Sequence, residues 1–262
     1  IGKFDNKMKN KDLEKKYDEI FKNDSSKFFT CNVFKESFSI VEMIDDWSNL
    51  EVLDLGCGTG NLASMVSQAG AKKVVGIDYS KEAIKIAKEK FTIENLEFRK
   101  CDYKDVKEKF DVILLQGVLE HFDSPFDELK EIINNNLKED GIIIASSPSF
   151  LNPRGYVWMT LQLLFDVPMS LTDLHFLCPF NFEEFCYEND LTLEMKSIFQ
   201  DWGSGRTMIR DFDKRLRNAL RDKGMDNSKV DNLLKWLNKS MTYFTRSNYS
   251  GAMVVYKIKR KN

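Results

Sequence analysis

Histidine is almost absent from this chain: His121 and His175 are the only two in 262 residues. Any chemistry that needs an imidazole must therefore use one of them. Cysteine offers little more. Cys31, Cys57, Cys101, Cys178 and Cys186 are an odd set with no C-x-x-C pair, which argues against a zinc site or a disulfide framework and for a reducing compartment. Charge of one sign is also missing. The formal net charge is −2, so no bulk electrostatic force draws the chain to nucleic acid, and the basic end "KIKRKN" reads as a solvated terminal strand. No apolar run approaches the roughly 18 residues of a membrane span, and no charged-then-apolar leader opens the sequence. These absences set the expectation of a cytoplasmic protein with no membrane span, no nucleic-acid partner and no metal.

What is present is a rhythm. Residues 5–47 are highly charged, with apolar positions at helical spacing (Leu13, Tyr17, Ile20, Phe21, then Phe34, Phe38, Val41, Ile44), which predicts an N-terminal helical cap. From residue 50, short β-branched runs alternate with amphipathic segments. "EVLDL", "KVVGID", "LEFRKC", "FDVILLQ" and "GIIIASS" read as strands, with helices between most of them. Strands separated by helices imply a parallel sheet covered on both faces. After Pro148 comes a segment rich in large apolar residues, including Trp158, Leu161, Leu164 and Phe165. Two further strands, "LTLEMKSIF" and "GAMVVYKIK", bracket a stretch where Met208, Phe212, Leu216 and Leu220 recur every four residues, followed by Leu233, Leu237 and Met241. That spacing predicts a two-helix insertion over roughly 206–245.

The chemistry starts at "DLGCGTGN", residues 54–61. A turn from strand to helix offers free backbone N–H groups, and glycine lets a ligand approach closely. The spacing is Gly56-x-Gly58-x-Gly60, with Asn61 where a dinucleotide fingerprint has its third glycine. Asp54 at the entrance disfavours a pyrophosphate and favours a cation. S-adenosylmethionine (SAM) meets that requirement, with an ammonium, a sulfonium and no phosphate. Asp78 ends the second strand, where a carboxylate can take both ribose hydroxyls, and Asp102 follows the third, placed for the adenine amine.

"VLDLGCGTGNLA", "VVGIDYS", "CDYKDV" and "FDVILLQGVLEHF" together resemble the successive motifs of class I SAM-dependent methyltransferases over residues 50–148. The resemblance implies an α/β fold: a doubly wound, mostly parallel seven-stranded Rossmann-like sheet with an antiparallel last strand. Together with the periodicity above, the chain reads as a single domain of 1–262: a cap (1–48), a SAM-binding core (49–148), an acceptor-side region (149–205), a helical insertion or lid (206–247) and the last strand (248–262). The resemblance places Asp54, Gly56, Cys57, Gly58, Gly60 and Asn61 at the methionine end and Asp78 and Tyr79 at the ribose. Asp102 and Tyr103 fall beside the adenine, and Gln116, Gly117 and Val118 near the methyl.

"VLEHF" is most similar to the quinone-biosynthesis O-methyltransferases, whose metal-associated trio has an acid where this chain has Gly117; metal and quinone are therefore not carried over. The Asn/Asp-Pro-Pro-aromatic run of amino-methylating enzymes is replaced by "QGVL". The expected activity is methyl transfer to a small-molecule hydroxyl, with an aromatic or quinone-type hydroxyl, or an amine, as the alternative. An NAD-dependent oxidoreductase and a non-catalytic SAM-binding protein are the rival classes. His121 opens the turn after the fourth strand and His175 follows the fifth, so both are candidate general bases. Arg154 and Tyr156 in "NPRGY", with Trp202 and Arg206 in "QDWGSGR", read as a flexible glycine-serine loop, suggest an anionic acceptor such as a phosphorylated or nucleotide-linked sugar; the alternative is that both arginines are surface residues paired with Asp201 or Asp211. A homodimer is compatible with the insertion.

Overall fold

The computed structural model describes Glu19, residues 33–167 and residues 175–261. The expected cap positions Leu13, Tyr17, Ile20 and Phe21 lie outside the described residues. The strands are β1 (Glu51–Leu55), β2 (Lys73–Asp78), β3 (Leu96–Lys100), β4 (Phe110–Gln116), β5 (Leu137–Pro148), β6 (Leu191–Ile198) and β7 (Met253–Arg260). They form one seven-stranded sheet in the order β3-β2-β1-β4-β5-β7-β6. Pairs from β3 through β5 are parallel, while β7 runs antiparallel to both β5 and β6. The order reverses at β1, with β4 on its other side. In such sheets the crevice at the carboxyl ends of the strands, at this reversal, is where ligands bind.

The sheet is buried on both faces, which is why its central strands read as near-continuous apolar runs rather than alternating ones. Helices α1 (Val33–Val41), α2 (Asn61–Gln68) and α3 (Lys81–Lys90) cover one face; Ile40, Leu62, Val66 and Ala87 pack there against Val52, Val112, Leu114 and Ile144. Helices α4 (Pro125–Asn135) and α6 (Pro179–Glu188) cover the other, where Leu129, Ile132, Phe182 and Phe185 meet Leu53, Ile113, Leu115 and Tyr256.

A third cluster lies beyond the sheet. Helix α5 (Pro153–Phe165) contributes Trp158, α8 (Arg206–Asp222) contributes Met208, Phe212, Leu216 and Leu220, and α9 (Val230–Ser240) contributes Val230, Leu234 and Leu237. The inward stripe of α9 thus includes Leu234, and Leu233 sits at its margin. The stretch expected to be a flexible glycine-serine loop is instead a short helix, α7 (Gln200–Ser204). Its glycines serve close packing: a Cβ on Gly203 would lie 2.5 Å from the Ser250 carbonyl oxygen.

Helix α1 departs from expectation in a way that matters for the site. Phe34 and Phe38, read as its inward face, are 64% and 56% exposed, whereas Glu36 and Ser37 are buried. The helix is rotated because its polar side finds hydrogen-bond partners on the sheet, as described below.

Candidate functional site

The glycine turn is held in shape by its neighbours. After β1, the backbone N–H groups of Gly56 and Cys57 both donate to the Ile77 carbonyl, at 2.8 and 2.9 Å. Gly56, Gly58 and Gly60 have φ of 72°, 50° and 80°, a region that side chains disfavour. A Cβ on Gly56 would stand 2.6 Å from Val118 Cγ2, so this glycine also allows the turn after β4 to close on the turn after β1. Asp78 ties the two halves together. Its Oδ2 accepts from the Gly58 N–H at 3.0 Å and its Oδ1 from the Ser80 N–H at 2.8 Å. Ser80 then caps α3 by accepting from the Ala83 N–H. Asn61 opens α2 and accepts from Lys90 Nζ at 2.6 Å, and Tyr79 is exposed at the rim.

Asp54 is 1% exposed, and its Oδ2 has no hydrogen-bond partner. Burial pushes its carboxyl up to about 7, against the favourable Ala63 backbone N–H and with added repulsion from Asp78. An acid held this way at the mouth of a glycine turn is short of a positive charge. The residues therefore fit a cationic, phosphate-free ligand: the orphaned oxygen could accept from a cation, and the glycines carry no side chain to block it. Burial also drives the Cys57 thiol well up, with Asp54 and Asp78 adding to it, so Cys57 is a small turn residue rather than a nucleophile.

Asp102 is exposed after β3, its Oδ1 accepting from the Lys104 N–H at 2.9 Å. Tyr103 turns into the core: its hydroxyl donates to Glu128 Oε2 at 2.9 Å, and its ring lies 5.6 Å from that of Phe122.

Beyond β4, α1 supplies residues that the sequence reading did not single out. Ser37 Oγ donates to Gln116 Oε1 at 2.8 Å, and Ser146 Oγ on β5 donates to Glu36 Oε1 at 2.6 Å. Gln116 also bonds Glu36 through its side chain. Glu36 is 5% exposed, and burial pushes its carboxyl up against those two hydrogen bonds. The available signal was the adjacent charged pair Lys35-Glu36 within an otherwise apolar and small-residue helix, "VFKESFSIV".

His175 lies beside the turn that carries His121. The His175 backbone N–H donates to the Glu120 carbonyl, next to His121, and its Nε2 lies 3.2 Å from the Asp123 carbonyl oxygen. With the proton on Nε2 donated there, Nδ1 keeps a free lone pair. The arginines do not meet. Arg154 is 3% exposed, its Nε 3.4 Å from Asp211 Oδ2 and its guanidinium 4.6 Å from the centre of the Trp202 ring. It braces α5 against α7 and α8, and this corrects the expectation that it faces an anionic acceptor. Tyr156 and Arg206 are exposed. Among the described residues no group of three or more His, Cys, Asp or Glu side chains is arranged to hold a metal ion, and no helix is long and apolar enough to cross a membrane.

Comparison with known proteins agrees with this geometry. A family model described as a methyltransferase domain matches residues 46–192. The ribosomal protein L11 methyltransferase of Lactobacillus johnsonii is 38% identical over 109 residues, 39% of this chain and 32% of that protein. The ubiquinone biosynthesis O-methyltransferase of Haemophilus ducreyi is 35% identical over 108 residues, 37% of this chain and 44% of that protein. Each match spans less than half of the relative's own length. Among solved structures, a chain from the complex of the Haloferax volcanii Trm112 methyltransferase activator with a methyltransferase superposes at a TM-score of 0.65. It has 15% identity and covers 94% of this chain and 98% of that one, which supports the fold alone. Other solved methyltransferases of the same fold carry S-adenosylhomocysteine (SAH), the spent cofactor.

Proposed function

The chain belongs to the SAM-dependent methyltransferase family, and from that premise we propose that it transfers a methyl group to a hydroxyl oxygen of a small molecule. The observation that carries the reading is the juxtaposition at the carboxyl ends of β1, β2 and β4. A buried acid with one unpartnered oxygen, a glycine turn braced by Asp78, and a corner with two histidines all lie toward the carboxyl ends of the strands.

Bound there, SAM supplies a methyl already activated on a sulfonium. The residues divide the rest of the task. Asp54 takes the ammonium, with Gly56, Cys57, Gly58, Gly60 and Asn61 around the methionine end. Asp78 and Tyr79 take the ribose. Asp102 meets the adenine amine, and Tyr103 shapes the wall behind it. Gln116, Gly117 and Val118 flank the methyl and exclude water. His175 receives the acceptor's proton at Nδ1, its ring fixed by the Asp123 carbonyl, and His121 completes that corner. Arg206, exposed at the start of α8, remains the candidate contact for an anionic group on the acceptor.

A second reading is methylation of a protein side chain, favoured by the 38% identity with a ribosomal protein methyltransferase. The test is SAH release across matched small acceptors with and without a phosphate group, run beside ribosomal protein L11. Turnover with hydroxyl-bearing small molecules supports the first reading, and loss of any phosphate preference in Arg206→Ala supports the anionic contact. Turnover with the protein alone overturns the first reading.

A further inference from the structure

Asp54 is not the only buried acid at the carboxyl-end edge of the sheet: Glu36 and Glu120 are buried there too, and Glu36 shares the face of Asp54. Side chains two residues apart on a strand share a face. Val52 and Asp54 on β1, Leu114 and Gln116 on β4, and Ile144 and Ser146 on β5 therefore all point toward α1, as the packing of Val52, Leu114 and Ile144 against that helix layer confirms. Asp54 stands at the near end of this row. Glu36, delivered by α1, stands at the far end against Gln116 and Ser146.

The partners of Glu36 are neutral. Among the described residues no cation pairs with it. The other charged groups around this face are engaged elsewhere. On α1 itself, Glu42 pairs with Lys196 at 2.7 Å, and Lys35 lies over the Phe199 ring. Lys257 on β7 donates to the Met43 carbonyl at 2.6 Å. Helix α2 carries no charged residue, and Lys138, Glu139, Asp140 and Asp111 sit at the opposite ends of β5 and β4. A carboxyl buried without a countercharge is unfavourable unless something supplies one.

SAM carries two cationic groups, an ammonium and a sulfonium, whereas SAH keeps only the ammonium. We propose that Glu36 is the countercharge for the sulfonium, so that this site distinguishes cofactor from spent product by charge. The inference rests on the cofactor assignment above, with Asp54 serving the ammonium and Gln116 marking the methyl. Glu36 is ionised beside SAM and takes a proton from solvent when the neutral thioether replaces it. SAH then sits beside an uncharged acid and gains nothing from it, which favours product release.

The test needs no acceptor. SAM and SAH are titrated calorimetrically into wild type, Glu36→Gln and Glu36→Asp near neutral pH, in buffers of different ionisation enthalpy. The wild type should release more protons on binding SAM than on binding SAH, a readout independent of any variant's folding. The SAM-to-SAH affinity ratio should fall about tenfold or more in Glu36→Gln, the scale of an opposite charge within a few ångströms, and recover in part in Glu36→Asp. Equal proton counts for the two ligands in the wild type overturn the proposal. So does a Glu36→Gln variant that weakens both ligands by the same factor, because Glu36 then only braces α1. Binding of neither ligand to the wild type overturns the cofactor assignment itself, and this inference with it.

Discussion

Replacing Asp54 by Asn should make the ligand-free protein more stable near pH 8, though not near pH 5, while weakening its hold on the cofactor. The carboxyl is fully buried, one oxygen has no partner, and its pKa rises from 3.8 to about 7. The sign follows from proton linkage. Between those two values the folded state binds the proton more tightly than the unfolded chain, so stability is greatest in acid and is lost as pH rises through about 7. The full penalty, about three pKa units, is on the order of 4 kcal/mol, and roughly 3 kcal/mol of it develops between pH 5 and pH 8. Asn keeps the shape without the charge but places an amide donor or acceptor in the same dry spot, which costs about 1–3 kcal/mol at every pH. Urea unfolding without ligand should therefore show the Asn variant gaining on wild type by about 3 kcal/mol from pH 5 to pH 8. Its SAM affinity should drop at the same time. A stability difference that is the same at both pH values would show that Asp54 carries no desolvated charge, and the argument for a cation at this turn would fail.

Four other outcomes are expected. Asp78→Ala should weaken SAM binding about tenfold to a hundredfold, from lost charge-assisted hydrogen bonds to the ribose and a loosened Gly58 backbone; unchanged calorimetric affinity in a folded variant removes Asp78 from the ribose site. His175→Ala should lower turnover by about 10²-fold with SAM affinity near wild type, and near-normal turnover excludes it as the base. Gly56→Ala, forced to φ 72° and against Val118, should destabilise by about 1–3 kcal/mol, readable as a lower denaturant midpoint. Arg154→Ala should cost about 1–3 kcal/mol of stability through its lost bond to Asp211, which keeps Arg215, and its lost packing on Trp202; an effect confined to KM for an anionic acceptor would return Arg154 to the substrate.

The sheet was legible because β-branched runs buried on both faces leave an unambiguous mark, and because "DLGCGTGN" needs positive φ at three glycines. Helices α8 and α9 were legible for a similar reason, their four-residue apolar spacing. The rotation of α1 was not. Periodicity says that a face is apolar, not that it is inward, and here polar partners on β4 and β5 outweigh Phe34 and Phe38. Arg154 was legible in part: pairing with Asp211 was one of its two readings, but an arginine after a strand end reads as exposed, and its burial depends on packing against Trp202 and α8. The two histidines were found because they are only two, but the contacts of His175 with Glu120 and Asp123 are tertiary and leave no mark in the local sequence.

The most direct measurement is a crystal structure with SAH bound. The account predicts the ribose hydroxyls on Asp78, the ammonium at Asp54 and the sulfur beside Gln116 and Glu36, under α1. Density for SAH away from the β1 turn, or lying across it with the ribose turned from Asp78, would contradict it.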